Sequence, residues 1–150
     1  LTQEGLRFAD LVINTEQNQL IAIAERHYQD REPENFIASI NLTTGEITTL
    51  VSGADFYAYP RLSPDQQQLC WIEWRHPNMP WDDTQIQLVA LDDAGLPIKN
   101  LEVDEDCKSS KVQPLFDDQG ELYFLCDREN FWNLQKFQMV AFDHGVEYHL

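Results

Sequence analysis

Three stretches of this 150-residue chain gather side chains able to do chemistry. The richest is 75–84, where His76, Asn78, Trp81, Asp82 and Asp83 stand within ten residues. An imidazole there could touch a ligand or, with Glu73, hold a metal ion. An indole could stack on a ligand, and adjacent carboxylates could bind an ammonium group or Ca²⁺. Each has a plainer structural use. His76 can order a proline-rich loop by hydrogen bonding, Trp81 can plug a crevice between sheets, and Asp82 can cap a turn. His76, Asn78, Trp81 and Asp82 are the candidate ligand-facing residues. Smaller counterparts are Arg26 with His27, and Phe131 with Trp132.

Other chemistry is missing from the chain. The sequence contains no G-x-S-x-G, and none of its four histidines has a serine in a nucleophile-like context, so no catalytic residue is assigned. Cys70, Cys107 and Cys126 are odd in number, and two fall inside predicted strands. They read as reduced, buried thiols, with neither metal nor cofactor expected. Asp117, Asp118 and Gly120 form a hairpin turn; an EF-hand would continue its ligands over about twelve residues. Asn41-Leu42-Thr43 fits a glycosylation sequon with no accompanying sign of secretion. The 26 acidic against 10 basic residues give a net charge of −16, which repels phosphate backbones and argues against nucleic acid. That acidity reads first as a solvated surface, densest at 104–106, and second as a rim attracting cations such as peptide amino termini. No apolar stretch nears the roughly 20 residues that span a bilayer, so no membrane segment is expected. A cytoplasmic location is expected.

The elements that must position these loops repeat. Gly45, Gly95 and Gly145 recur every fifty residues, closing FIASINLTTG, IQLVALDDAG and KFQMVAFDHG, each an apolar strand running into a turn. Leu20, Leu69 and Leu122 open strands after the polar turns NTEQN, SPDQQ and DDQG, 49 and then 53 residues apart. Four strands per unit are predicted: 10–13, 20–25, 36–41 and 47–51; 58–62, 68–74, 85–91 and 98–103; 112–116, 122–127, 134–142 and 146–150. Runs such as LCWIEW and LYFLC are apolar on both faces, as in strands sandwiched between sheets, whereas ITTLV and VEYHL alternate as outer strands do. A helix drawn over 131–140 fits the surrounding β-branched and turn-rich sequence less well.

Four-stranded sheets repeating every fifty residues predict an all-β fold, a β-propeller fragment of about three antiparallel blades at 8–53, 56–104 and 111–150. A β-solenoid is the weaker alternative. Because strand direction alternates, the loops joining second to third strands (27–35, 75–84 and 128–133) share one face. Closed rings need about four to eight blades, so three leave uncovered apolar flanks, and isolated copies are expected to associate through them.

The stretch FYAYPRLSPDQQQLCWIEWRHPNMPWDDTQIQL, from Phe56 to Leu88, resembles propeller blades of the prolyl oligopeptidase family, in its dipeptidyl aminopeptidase or acylaminoacyl peptidase branch. Ser63-Pro64-Asp65 alone is common to many propellers; the HPNMPWD loop from His76 to Asp82 is long and compositionally rare. Phe8-Ala9-Asp10 and Val51-Ser52-Gly53 extend the similarity, which is loosest over the third blade. The chain departs from the pattern at Gln66, where the family turn usually has Gly, and at Asp83. The resemblance implies a serine peptidase for short peptides, whose α/β-hydrolase domain carries the Ser, His and Asp and is absent from this chain. The propeller would gate access and face the peptide substrate with His76, Asn78, Trp81 and Asp82.

Two other classes stay open. Tryptophan and carboxylates on one rim also suit a carbohydrate-active propeller, although the S-x-D-x-G-x-T-W box is missing. A protein-binding scaffold propeller requires no particular feature.

Overall fold

A computed structural model describes residues 5–101, 108–142 and 145–149. The predicted strand end at Val103, the acidic run 104–106, Cys107 and Leu150 lie outside them. The described chain is a partial β-propeller of three four-stranded antiparallel sheets, each in sequence order. The first holds β1 (Leu6–Asn14), β2 (Gln19–Arg26), β3 (Glu34–Asn41) and β4 (Ile47–Val51). The second holds β5 (Phe56–Leu62), β6 (Gln68–Trp74), β7 (Gln85–Leu91) and β8 (Pro97–Asn100). The third holds β9 (Lys111–Phe116), β10 (Leu122–Cys126), β11 (Asn133–Phe142) and β12 (Gly145–His149). No helix occurs among the described residues, and 133–142 is a strand.

The period of two on the central sheet explains its doubly apolar runs. Leu69 and Trp71 of β6, with Val89 and Leu91 of β7, face the first sheet and pack with Ile21, Ile37 and Tyr57. Their neighbours Cys70, Ile72, Ile86 and Leu88 face the third, meeting Leu122, Phe124, Cys126 and Phe137. Each such buried side chain contributes about 1.5–3 kcal/mol of burial. The LYFLC run behaves differently from its expectation. Tyr123 and Leu125 are half-buried because the third sheet packs on the second through only one face, and Leu115 and Leu134 are exposed.

The first strands of all three sheets begin earlier than predicted or carry an extra residue, for one reason. Each bulges at a residue with positive φ: Asp10 (48°), Tyr59 (54°) and Gln113 (55°). The ladder slips between Ala9 and Val12, between Ala58 and Arg61, and between Tyr123 and Leu125 on the strand facing β9. A bulge breaks the alternation on which strand starts are read.

Turns repeat with local substitutions. Gly120 (φ 82°) closes the β9–β10 turn onto the Asp117 carbonyl in the left-handed conformation, Gln66 (57°) does the same onto Ser63, and Asn18 (51°) is the left-handed residue of the β1–β2 hairpin. Gln66 thus holds, as a non-glycine residue, a left-handed conformation that glycine adopts at lower cost. Its Oε1 accepts hydrogen bonds from the backbone N–H of Thr15 (2.6 Å) and Glu16 (3.3 Å) on the neighbouring sheet, so side-chain bonding accompanies the unfavourable φ. Gly45 and Gly95 lie in turns after β3 and β7, whereas Gly145 opens β12 opposite Phe142, which makes the third such turn shorter than its equivalents.

Candidate functional site

The loops 27–33, 75–84 and 127–132 join second to third strands and emerge on one face, together with the connections between sheets. Where the first two loops meet the 52–55 connection, they enclose a cleft of about 700 Å³. Its walls carry Glu25, Glu32, Glu34, Asp55, Tyr28 and His76, with Arg31 as a cationic member. Four carboxylates against one guanidinium give the cleft an acidic lining, in which Glu34 also pairs with Arg26 and Glu25 with His27.

Several bonds fix its shape. Asp55 Oδ2 accepts the backbone N–H of His76 at 2.8 Å, and the Asp55 carbonyl accepts Asn35 Nδ2 at 2.7 Å, which joins the second loop and the start of β3 to the connection. The His76 ring stands edge-on to Phe56, 5.0 Å between centroids, and Phe56 stacks on Trp74 at 5.3 Å. On the opposite wall Tyr28 donates its hydroxyl to Glu34 at 2.9 Å, and the Arg31 guanidinium lies 3.6 Å from the Tyr28 ring centroid. Arg26 covers the Phe36 ring and pairs with Glu34, while His27 pairs with Glu25.

The structure separates the four sequence-predicted residues. His76 lines the cleft; its peptide bond to Pro77 is cis. Asn78 is half-buried, its backbone N–H closing a turn onto Arg75. Asp82 caps that loop, accepting the Met79 N–H at Oδ2 (2.9 Å), the structural use weighed for it above. Trp81 fills no crevice among the described residues. It stands 65 % exposed, and the Pro80 carbonyl before it accepts a hydrogen bond from the Ser110 hydroxyl at 2.6 Å. Phe131 and Trp132 are exposed on the third loop of the same face.

Glu73 is not available to His76. It is buried, accepting Trp71 Nε1 at 2.9 Å through one oxygen and pairing with Arg75 at 3.0 Å through the other. No group of three His, Cys, Asp or Glu residues suited to a metal gathers among the described residues. Burial pushes the Cys70 thiol up to about 12, so it is unreactive at neutral pH. Burial likewise raises the Tyr57 hydroxyl, whose oxygen accepts the Ala54 N–H.

Sequence reading missed Asp55 and the Glu25, Glu32 and Glu34 wall. Their only signal was the clustering of acids around a strand-joining loop. Which acids converge depends on the side-by-side placement of two sheets.

The fold has close counterparts among solved structures. A puromycin-hydrolysing peptidase of Mycobacterium tuberculosis is 31 % identical over 96 % of this chain, with a TM-score of 0.78. A puromycin hydrolase is 27 % identical over 89 % of the chain, with a TM-score of 0.80. The chain belongs to the prolyl oligopeptidase family. It is a stretch of that family's propeller, spanning 23 % and 22 % of the length of those two proteins. A calcium-binding regucalcin of Agrobacterium tumefaciens, 17 % identical with a TM-score of 0.57 over 81 % of this chain and 39 % of its own, shares the fold alone. No family model matches the sequence, and no curated protein matches it.

Proposed function

We propose that this prolyl oligopeptidase-family propeller segment is the substrate-gating, non-catalytic part of a serine peptidase of the dipeptidyl aminopeptidase or acylaminoacyl peptidase branch. Support for a peptidase propeller comes from the structural relatives; the finer reading rests on the anionic cleft between the first two rim loops. A cleft with four carboxylates, one cation and two aromatic walls suits the protonated amino end of a short peptide. In this reading the rim that bears Trp81, Phe131 and Trp132 faces the α/β-hydrolase domain or the incoming peptide, and bond cleavage occurs outside this chain.

The test uses the full-length protein and paired chromogenic substrates, aminoacyl and acyl-aminoacyl. Glu32→Gln removes one exposed wall carboxylate. Its loss should raise KM for the free-amine substrate about threefold to fivefold, the size of an exposed ion pair, and leave the acylated substrate unchanged. Equal effects on both substrates would refute amine recognition by this cleft. Turnover of neither substrate by the unaltered protein would refute the peptidase branch.

A further inference from the structure

We infer that Arg31 is the specificity residue of the rim cleft and takes the carboxylate end of a short peptide, so that the cleft selects peptides of up to about three residues with both ends free. This rests on the reading of the cleft as a peptide site and adds the second charge of the ligand. Arg31 is the one guanidinium or ammonium group among the described residues that line the cleft. The wall leaves its charge in place. Glu34 pairs with Arg26 and Glu25 with His27, whereas Arg31 pairs with none of the four carboxylates that share its lining.

Stacking gives the side chain its direction. The guanidinium lies over the Tyr28 ring, 3.6 Å from the centroid, and the Tyr28 hydroxyl donates to Glu34 at 2.9 Å. Glu34 opens β3 and pairs at 3.6 Å with Arg26, the last residue of β2. Three contacts therefore tie a loop side chain back to two strands. A guanidinium held by its face keeps its N–H edge for a planar acceptor, and a carboxylate matches that edge through two parallel hydrogen bonds.

Size limits what can reach both charges. A space of about 700 Å³ is about 11 Å across, and an extended chain advances about 3.3–3.6 Å per residue, so about three residues separate an amine on the acidic lining from a carboxylate on Arg31. A longer chain carries its carboxylate out of the cleft. Electrostatics then supplies a sign. An acidic lining by itself favours a peptide amide, a pure cation, over the peptide acid, whose carboxylate it repels. An anchoring guanidinium reverses that order.

The experiment is calorimetric titration of the full-length protein, with the serine of its hydrolase domain replaced by alanine so that peptides bind uncut. Trialanine should bind about fivefold more tightly than trialanine amide, the size of an exposed ion pair. Arg31→Gln should make the amide the tighter ligand, and Arg31→Lys, which keeps the charge and loses the fork, should fall between. Hexaalanine and its amide should bind alike. An amide that binds the Arg31 protein as well as the acid overturns the inference, as does an acid preference that survives Arg31→Gln or extends to hexaalanine, or no binding by any of these peptides. A folding defect weakens acid and amide together and leaves their order, so the reversal reports the anchor; should Arg31→Gln fail to fold, the order in the Arg31 protein and in Arg31→Lys decides. Acetyl-trialanine separates this inference from amine recognition. Equal binding of acetylated and free trialanine with the acid preference intact defeats amine recognition alone, and equal binding of acid and amide with acetylation still harmful defeats the anchor alone.

Discussion

The two seams of this molecule obey one apolar rule and two polar ones. Between the first and second sheets the ties are exposed or half-buried: Gln66 to Thr15 and Glu16 and Gln17 to Asp93 are exposed, and Asp10 to the Tyr59 N–H and Arg61, at 2.8 and 3.0 Å, is half-buried. Between the second and third they are buried and gathered at the rim end. Lys111 is 1 % exposed, its Nζ donating to the Thr84 carbonyl (3.1 Å) and the Ser109 hydroxyl (3.0 Å). Its backbone N–H donates to Thr84 Oγ1 at 2.6 Å, and Thr84 Oγ1 donates in turn to the Lys111 carbonyl. Repeated sheets share their packing because hydrophobic contact is non-directional; they differ in their locks because hydrogen bonds are directional and each must be built locally.

Burial should rank the locks. Lys111→Met keeps the apolar stem and deletes the ammonium, so Thr84 O and Ser109 Oγ lose the charged donor they share inside the protein. We expect a loss of about 2–3 kcal/mol in chemical denaturation of the full-length protein, with amide exchange accelerated first in β9. A loss no larger than that of the exposed lock below would show that burial does not set the ranking.

The exposed lock is separable into its parts. Gln66→Ala keeps the left-handed backbone and removes the bonds to Thr15 and Glu16, for an expected loss of about 1 kcal/mol. Gln66→Gly removes the same bonds but relieves the φ of 57°, a gain of about 1 kcal/mol, and should be nearly neutral by the same denaturation measurement. Equal losses would mean the turn is unstrained.

The smallest effect lies at the third hairpin, outside both seams. The Asp117 carboxylate accepts the backbone N–H groups of Glu121 and Gln119, both at 2.9 Å. The Glu121 bond chiefly holds its pKa below the ordinary 3.8. A folded pKa below the unfolded one contributes stability above the unfolded value, and that contribution is lost as pH falls through the folded value. A carboxyl ¹³C titration should place its midpoint below 3.8, and Asp117→Asn should remove this increment of acid sensitivity. A midpoint at or above 3.8 would contradict the turn geometry.

The same contrast shows what was legible in sequence. Apolar runs and turn punctuation revealed the repeat, because Leu69 and Cys70 must each bury their side chains whatever their partners. The HPNMPWD loop was visible too, and His76 does line the cleft. Asp55 and the Glu25–Glu32–Glu34 wall were not, since their meeting depends on the rotation between adjacent sheets. A buried Lys111 contradicts its ordinary preference for water and leaves no compositional trace. Trp81 stands exposed on the rim, and no pattern in the sequence distinguishes an exposed ring from a covered one.

The extra residue in each first strand carries a practical rule for exchanging parts among relatives. Asp10, Tyr59 and Gln113 act as phase markers: residues before and after them count odd and even on opposite conventions. Transplanting a whole first strand with its marker preserves which side chains look inward. Splicing within it without the marker turns every downstream side chain over, so chimaeras should be cut in the loops that follow the fourth strands.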